Sequence, residues 1–261
     1  MFSKFNYNIG SLYNREINPH HEVGNSLYEK SIKDARKCLE EFIYTKGHID
    51  GSSLQSHWFK AIDANIFISH SHEDINKVKS LAGWLYNNFG LKSFIDSCVW
   101  GYCNDLLKQI DDKYCLNSDK KTYNYNLRNY TTSHVHVMLS LALTEMIDKT
   151  ECIMFINTPN SISLENEISD HKYNNATHSP WIYHELAMTT MVRQTEPVRT
   201  KQIIEHRAFN KIPTFDYNVD KYLKEMVNLN DEDLIQWKKN FSSDTHPLDE
   251  LYLIKKLINR K

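Results

Sequence analysis

An α/β fold, with helices on both faces of a parallel sheet, is the class this sequence predicts, and three observations carry it. Short β-favouring runs ("ANIFIS", "LKSFID", "ECIMFIN") alternate with runs of helical period. The first of these strands breaks off abruptly in polar "HSHED", as a strand does when it feeds a turn and a helix. The apolar run opened by "HSP" (His178 to Pro180) is helical and carries a lone carboxylate, Glu185.

Taken in order, residues 1 to about 24 show no convincing period. Over 26–44, Leu27, Ile32, Ala35, Leu39, Phe42 and Ile43 make an approximate helical stripe, closed by the turn signal "GHIDGSS". Residues 1–60 are therefore expected to form an N-terminal helical extension, with the α/β domain over 61–215. "ANIFIS" is its first strand. Glu73 and Asp74 suit the positive end of the helix that follows, in which Val78, Leu81, Ala82 and Leu85 share a face and Gly90 is the stop. "LKSFID" is the second strand and 105–114 the next helix. Residues 116–132 read as a polar loop rich in tyrosine and asparagine, "HVHVMLSLALTEMID" as an apolar helix, and "ECIMFIN" as a buried strand. A second long loop runs over 158–178. "KQIIEHRAF" and "KIPTFDY" are the candidates for the last strands. Residues 216–261 are expected to add C-terminal helices packed on the domain, opened by Asn230 and Pro247.

Composition excludes several classes. The 31 basic and 33 acidic residues nearly cancel, so there is no electrostatic footprint for nucleic acid or an anionic membrane. No apolar run approaches the length that spans a bilayer, and the first residues lack a signal peptide's apolar core. Five scattered cysteines without a C-x-x-C read as reduced thiols of a cytoplasmic protein. With seven glycines and no G-x-G-x-x-G, a nucleotide would not be held by a glycine-rich phosphate cradle.

The carboxylate in the apolar helix poses the chemical question. Ser179 and Pro180 make a strong helix start, a capping hydroxyl followed by proline at the first helical position. About 100° per residue then places Trp181, Glu185, Met188 and Val192 in one sector, with Trp181 and Glu185 one turn apart. A carboxylate sealed there without a partner is costly. It reaches water, pairs with a lysine or arginine, or serves a ligand. Ligands of open parallel sheets gather at the carboxyl ends of the strands. Three strand ends here are polar: Ser69 to His72, Asp96-Ser97 and Asn157-Thr158.

"ANIFISHSHED", "SFIDSCVWGYCNDLLKQID", "CIMFINTPNS" and "SPWIYHEL", in that order and spacing, resemble the Toll/interleukin-1 receptor (TIR) domain over about residues 61–215. The closest likeness is to bacterial members linked to anti-phage defence. The resemblance implies a flavodoxin-like, five-stranded parallel sheet and, in enzymatic members, cleavage of NAD at the nicotinamide–ribose bond. It carries the catalytic glutamate onto Glu185, and the family's assembly loop onto 97–102, with Gly101 at that loop's usual glycine. It also implies self-association through TIR contacts and a nucleotide signal to a downstream effector. NAD is then a substrate, and no cofactor or metal is assigned. The insertions at 116–132 and 158–178 and the weakly marked last strands depart from the pattern.

The chemistry asks for little. Nicotinamide in NAD is a pyridinium and departs neutral, so the proton donor of ordinary glycosidases is unnecessary. Glu185 would stabilise charge developing at the anomeric carbon, and Trp181 would offer its face to the cationic ring. Ser69 and His70 are candidates to line the ribose or diphosphate, with Asp96, Trp100 and Asn157 around them. Asp96 has capping as its alternative, and Trp100 has packing. Two further readings compete. His70-x-His72 and His134-x-His136 suggest a metal hydrolase, but the first pair lies at or past a strand end and the second on a helix, where i and i+2 do not face each other. The other is a non-enzymatic interaction module, for which the Trp181/Glu185 pair is unnecessary.

Overall fold

The computed structural model describes residues 1–33, 42–43, 49–59, 61–164, 175–197 and 217–259, with the side chains of 98–102 outside the description. It is a mixed α/β fold with a five-stranded parallel sheet flanked by helices. The chain divides into two compact units, one of Met1–Leu27, Asp63–Ile95 and Ile147–Lys261, the other of Tyr28–Ile62 and Asp96–Met146.

The first unit holds the sheet. Its strands are β1 (Ser3–Asn8), β2 (Ile66–Ser69), β3 (Ser93–Ile95), β4 (Cys152–Asn157) and, near the C-terminus, Val227–Leu229. They lie in the order β3-β2-β4-β1-(227–229), and every pairing described is parallel. β2, β3 and β4 are the three strands the sequence marks. The other two are a correction. The N-terminus is not only a helical extension, because β1 pairs with β4 on one side and with 227–229 on the other. Its "SKFNYN" hides the role, since Ser3, Lys4 and Asn6 are buried polar groups. Lys4 is neutralised by Glu225 at 2.9 Å, and Asn6 bonds Asn228 at 3.3 Å, both partners more than 200 residues away. The expected last strands, 201–209 and 211–217, lie outside the described residues except for Tyr217.

The helix expected over 26–44 begins earlier, at His21, and residues 34–41 and 44 of that range lie outside the described ones. α1 (His21–Lys33) begins in this unit, and α3 (Ile75–Phe89) follows β2; between them in the chain comes α2 (Gly51–Trp58), in the second unit. α3 buries Val78, Leu81, Ala82 and Leu85 and ends at Gly90, whose φ of +68° is the left-handed stop. Gly24 of α1 and Gly83 of α3 let the two backbones touch: a Cβ on Gly24 would stand 1.7 Å from the Lys79 carbonyl oxygen, and one on Gly83 2.2 Å from that of His20.

The second unit also contains α4 (Ser97–Tyr114) and most of α5 (Tyr125–Lys149). Both start earlier than expected. Residues 97–102, expected as an assembly loop, are the first turns of α4, and 125–132, expected as loop, open α5. The start of α5 is exposed, so it has no apolar stripe to read; Asn124 accepts from the Leu127 amide at 3.1 Å. Asp111, buried, ties the two helices together by accepting from Arg128 at 2.7 Å and Thr131 at 3.0 Å.

After β4 come β5 (Ser163–Leu164), β6 (Asn175–Thr177), α6 (Pro180–Met191) and β7 (Tyr217–Asn218), with β5, β6 and β7 forming a small antiparallel sheet. The 158–178 segment is thus not all loop. α7 (Asp220–Glu225) precedes the last sheet strand, β8 (Val227–Leu229). α8 (Asp231–Asn240) opens with a capping box from Asn230 to Asp233, and α9 (Pro247–Ile254) begins at its proline, both as expected. Trp237 of α8 stacks on Phe89 of α3, ring centroids 4.1 Å apart, and so fastens the C-terminal helices to this unit.

Candidate functional site

Register places the polar groups before any ligand is invoked. Ser69 is level with Phe155, Phe155 with Asn6, and Asn6 with Asn228, so these four share one face of the sheet. Asn157 and Asn8, two residues further on, share that face at the carboxyl edge. Phe5 and Tyr7 point the other way, where Phe5 stacks on Tyr252 and the Tyr7 hydroxyl donates to Asp231.

α6 packs on the Ser69 face. Its cap is as the sequence predicts: the Ser179 hydroxyl accepts from the Ile182 amide at 3.2 Å. Ile182, Glu185, Leu186, Ala187 and Thr189 are buried. The Ser69 hydroxyl donates to Glu185 Oε2 at 2.6 Å, and both residues are 0% exposed. That separation lies at the short end of the O–H···O range. Glu185 therefore does not reach water at the helix start. It is bound across 116 positions of chain to the end of the first predicted strand.

Among the other expected site residues, His70 is buried one position beyond β2. Trp181 is half-buried, its ring 6.4 Å from that of His184 in an edge-on arrangement. Asn157 is half-buried at the end of β4. Asp96 takes the capping alternative, accepting from the Ser97 amide at 2.8 Å as α4 begins. Asp96 and Trp100 belong to the second unit, so the pair that the structure brings together is Ser69 and Glu185.

One part of this edge was not legible as a unit. Asp74, expected only to complement a helix dipole, is buried and binds three groups. It accepts from Lys77 at 2.7 Å, from Asn160 at 3.1 Å and from the Thr158 hydroxyl. The turn after β4 is thereby locked to the turn after β2. The signal was the Thr158-Pro159-Asn160-Ser161 run directly after a buried strand, a turn rich in side-chain acceptors and donors. An open depression lined by Leu12, Glu16, Trp84, Ile235, Lys238 and Lys239 contains none of these residues, and two of its charged groups, Glu16 and Lys238, form an ion pair at 2.8 Å. Chemistry and depression are at different places, and the buried carboxylate is the more informative of the two.

The fold and site thus define a mixed α/β protein with a hydroxyl–carboxylate pair buried where a helix meets the carboxyl edge of its five-stranded parallel sheet. Comparison with protein-family models, with curated proteins and with solved structures yields no match.

Proposed function

We propose that this chain is an enzyme of the TIR type that cleaves the nicotinamide–ribose bond of NAD, with Glu185 as its catalytic carboxylate. The buried Ser69–Glu185 pair carries the reading, because it concentrates polar chemistry at the edge where open parallel sheets take their ligands. Ser69 holds one carboxylate oxygen and so fixes the side chain's orientation, as a preorganised electrostatic stabiliser requires. The departing pyridine needs no proton, and the ribosyl cation is stabilised by the negative charge of Glu185. Trp181 faces the ring, while His70 and Asn157 border the diphosphate and ribose.

Complete burial of Glu185 adds a condition: the site works only when the α6 edge opens to substrate. Turnover is then low in the isolated chain and rises on self-assembly. Capture of the cation by water gives ADP-ribose. Capture by an internal nucleophile or a second small molecule gives a cyclic or conjugated signal for a downstream effector of anti-phage defence. The same burial favours a second reading, a non-enzymatic interaction module in which the Ser69–Glu185 bond only fastens α6 to β2. Incubating the concentrated chain with NAD and following nicotinamide by mass spectrometry separates the two. Release that disappears in Glu185→Gln supports the enzyme; no release in any assembled state supports the module.

A further inference from the structure

We propose that Glu151, His246 and Asp249 form a site for a divalent first-row transition ion, of the zinc or manganese kind, at the amino end of the sheet. Their ligand atoms all lie within 4.8 Å of one another, and all three residues are half-buried. Three protein ligands at bond lengths of about 2.0–2.2 Å around one ion stand roughly 3.3–4.2 Å apart, so small side-chain rotations close the set.

The ligands come from two elements that meet there. Glu151 directly precedes β4, while His246 is the N-cap of α9 and Asp249 stands in its first turn. The Tyr252 hydroxyl, from the next turn of α9, donates to Glu151 Oε1 at 2.9 Å. This is the outer-shell bond that orients a ligating carboxylate. Tyr252 is itself fully buried and gripped by Phe2 and Phe5, with ring centroids 4.9 and 6.2 Å away. The Met1 ammonium feels the charge of Glu151, but it donates to the Asp148 carbonyl at 2.7 Å.

Donor chemistry selects the ion. One imidazole with two carboxylates suits zinc, manganese or ferrous iron; the imidazole disfavours calcium and magnesium, and the lack of thiolate disfavours copper(I). Glu151 lies four residues before Phe155, the register partner of Ser69, which is about 13 Å along the sheet. The site is therefore separate from Glu185, and an ion there staples α9 to the start of β4.

The test uses the full chain stripped with a chelator and titrated calorimetrically with zinc chloride and with manganese chloride. The expected result is one ion per chain, an upward shift in Tm on loading, no comparable shift with magnesium, and at least tenfold weaker binding in His246→Ala and in Glu151→Gln. Circular dichroism of both variants checks the fold, and Asp249→Asn replaces either one that fails to fold. Absence of stoichiometric binding of either ion by the parent overturns the site. So does unchanged affinity in the folded variants, since the ion would then sit among others of the 13 histidines.

Discussion

Replacing Ser69 by alanine probes the pair on which the functional reading stands. The substitution removes the hydroxyl that donates to Glu185 Oε2 at 2.6 Å and leaves that oxygen in a site with no solvent exposure. A hydrogen bond to a charged group contributes about 1.5–3 kcal/mol, and a buried acceptor deprived of its donor loses that benefit without compensation from water. Ser69→Ala should therefore lower unfolding stability by about 2–3 kcal/mol in urea denaturation, with an unchanged m-value. Glu185→Gln keeps an acceptor for Ser69 but no charge, so it should lose less, about 1 kcal/mol. In the double variant Ser69→Ala, Glu185→Leu the hydroxyl and carboxylate are both gone. Measured against the single variants Ser69→Ala and Glu185→Leu, its loss of stability should fall short of the sum of the two single losses by about 1–3 kcal/mol, the coupling between contacting residues. Coupling below about 0.5 kcal/mol would refute the argument that these two groups depend on each other.

Three other outcomes follow from the packing. Gly83→Ala forces a Cβ against the His20 carbonyl oxygen at 2.2 Å, so despite alanine's better helix propensity it should destabilise by about 1–3 kcal/mol on thermal or urea unfolding. Trp237→Ala deletes a side chain with 0% exposure, its stack on Phe89 and its 2.8 Å bond to the Pro247 carbonyl; a loss of about 3–5 kcal/mol is expected in the same assay. Burial pushes the Cys103 thiol from 9.0 up to about 11, and burial likewise raises Cys152 and Tyr252. Each group binds its proton more tightly folded than unfolded; for Cys103 this stability is fully present below pH 9 and is lost as pH rises through the folded value near 11, and Cys152 and Tyr252 act in the same direction. Urea midpoints should be flat from pH 7 to 8.5 and fall from pH 9 to 11; a flat profile over that upper range contradicts the burial of these groups.

Sequence showed the three strands whose apolar content is local and continuous, β2, β3 and β4. It also showed the helices that carry both a period and a terminal signal: α3 with Gly90, α6 with Ser179-Pro180, and α8 with Asn230. It hid β1, because Lys4 and Asn6 are tolerated in the sheet only through Glu225 and Asn228, partners supplied by the far end of the chain. It hid β8, because three residues are too short a run for their alternation to count. The opening of α5 escaped because it begins outside its apolar stripe, and that of α4 because the resemblance assigned 97–102 to a loop. At the site, Glu185 stood out as a carboxylate in an apolar helix, and Ser69 as a polar strand end. That one donates to the other is a fact of register and helix placement that spacing does not encode. The Asp74 network and the Glu151, His246 and Asp249 cluster share that property, each assembled from segments about 85–100 residues apart.

Nicotinamide release from NAD, compared between the parent chain and Glu185→Gln at equal concentration and equal oligomeric state, tests the central claim most directly. Release by the parent, greater in the assembled state, and none above background in the variant is expected. Equal release by the two, or none by the assembled parent, would contradict the claim.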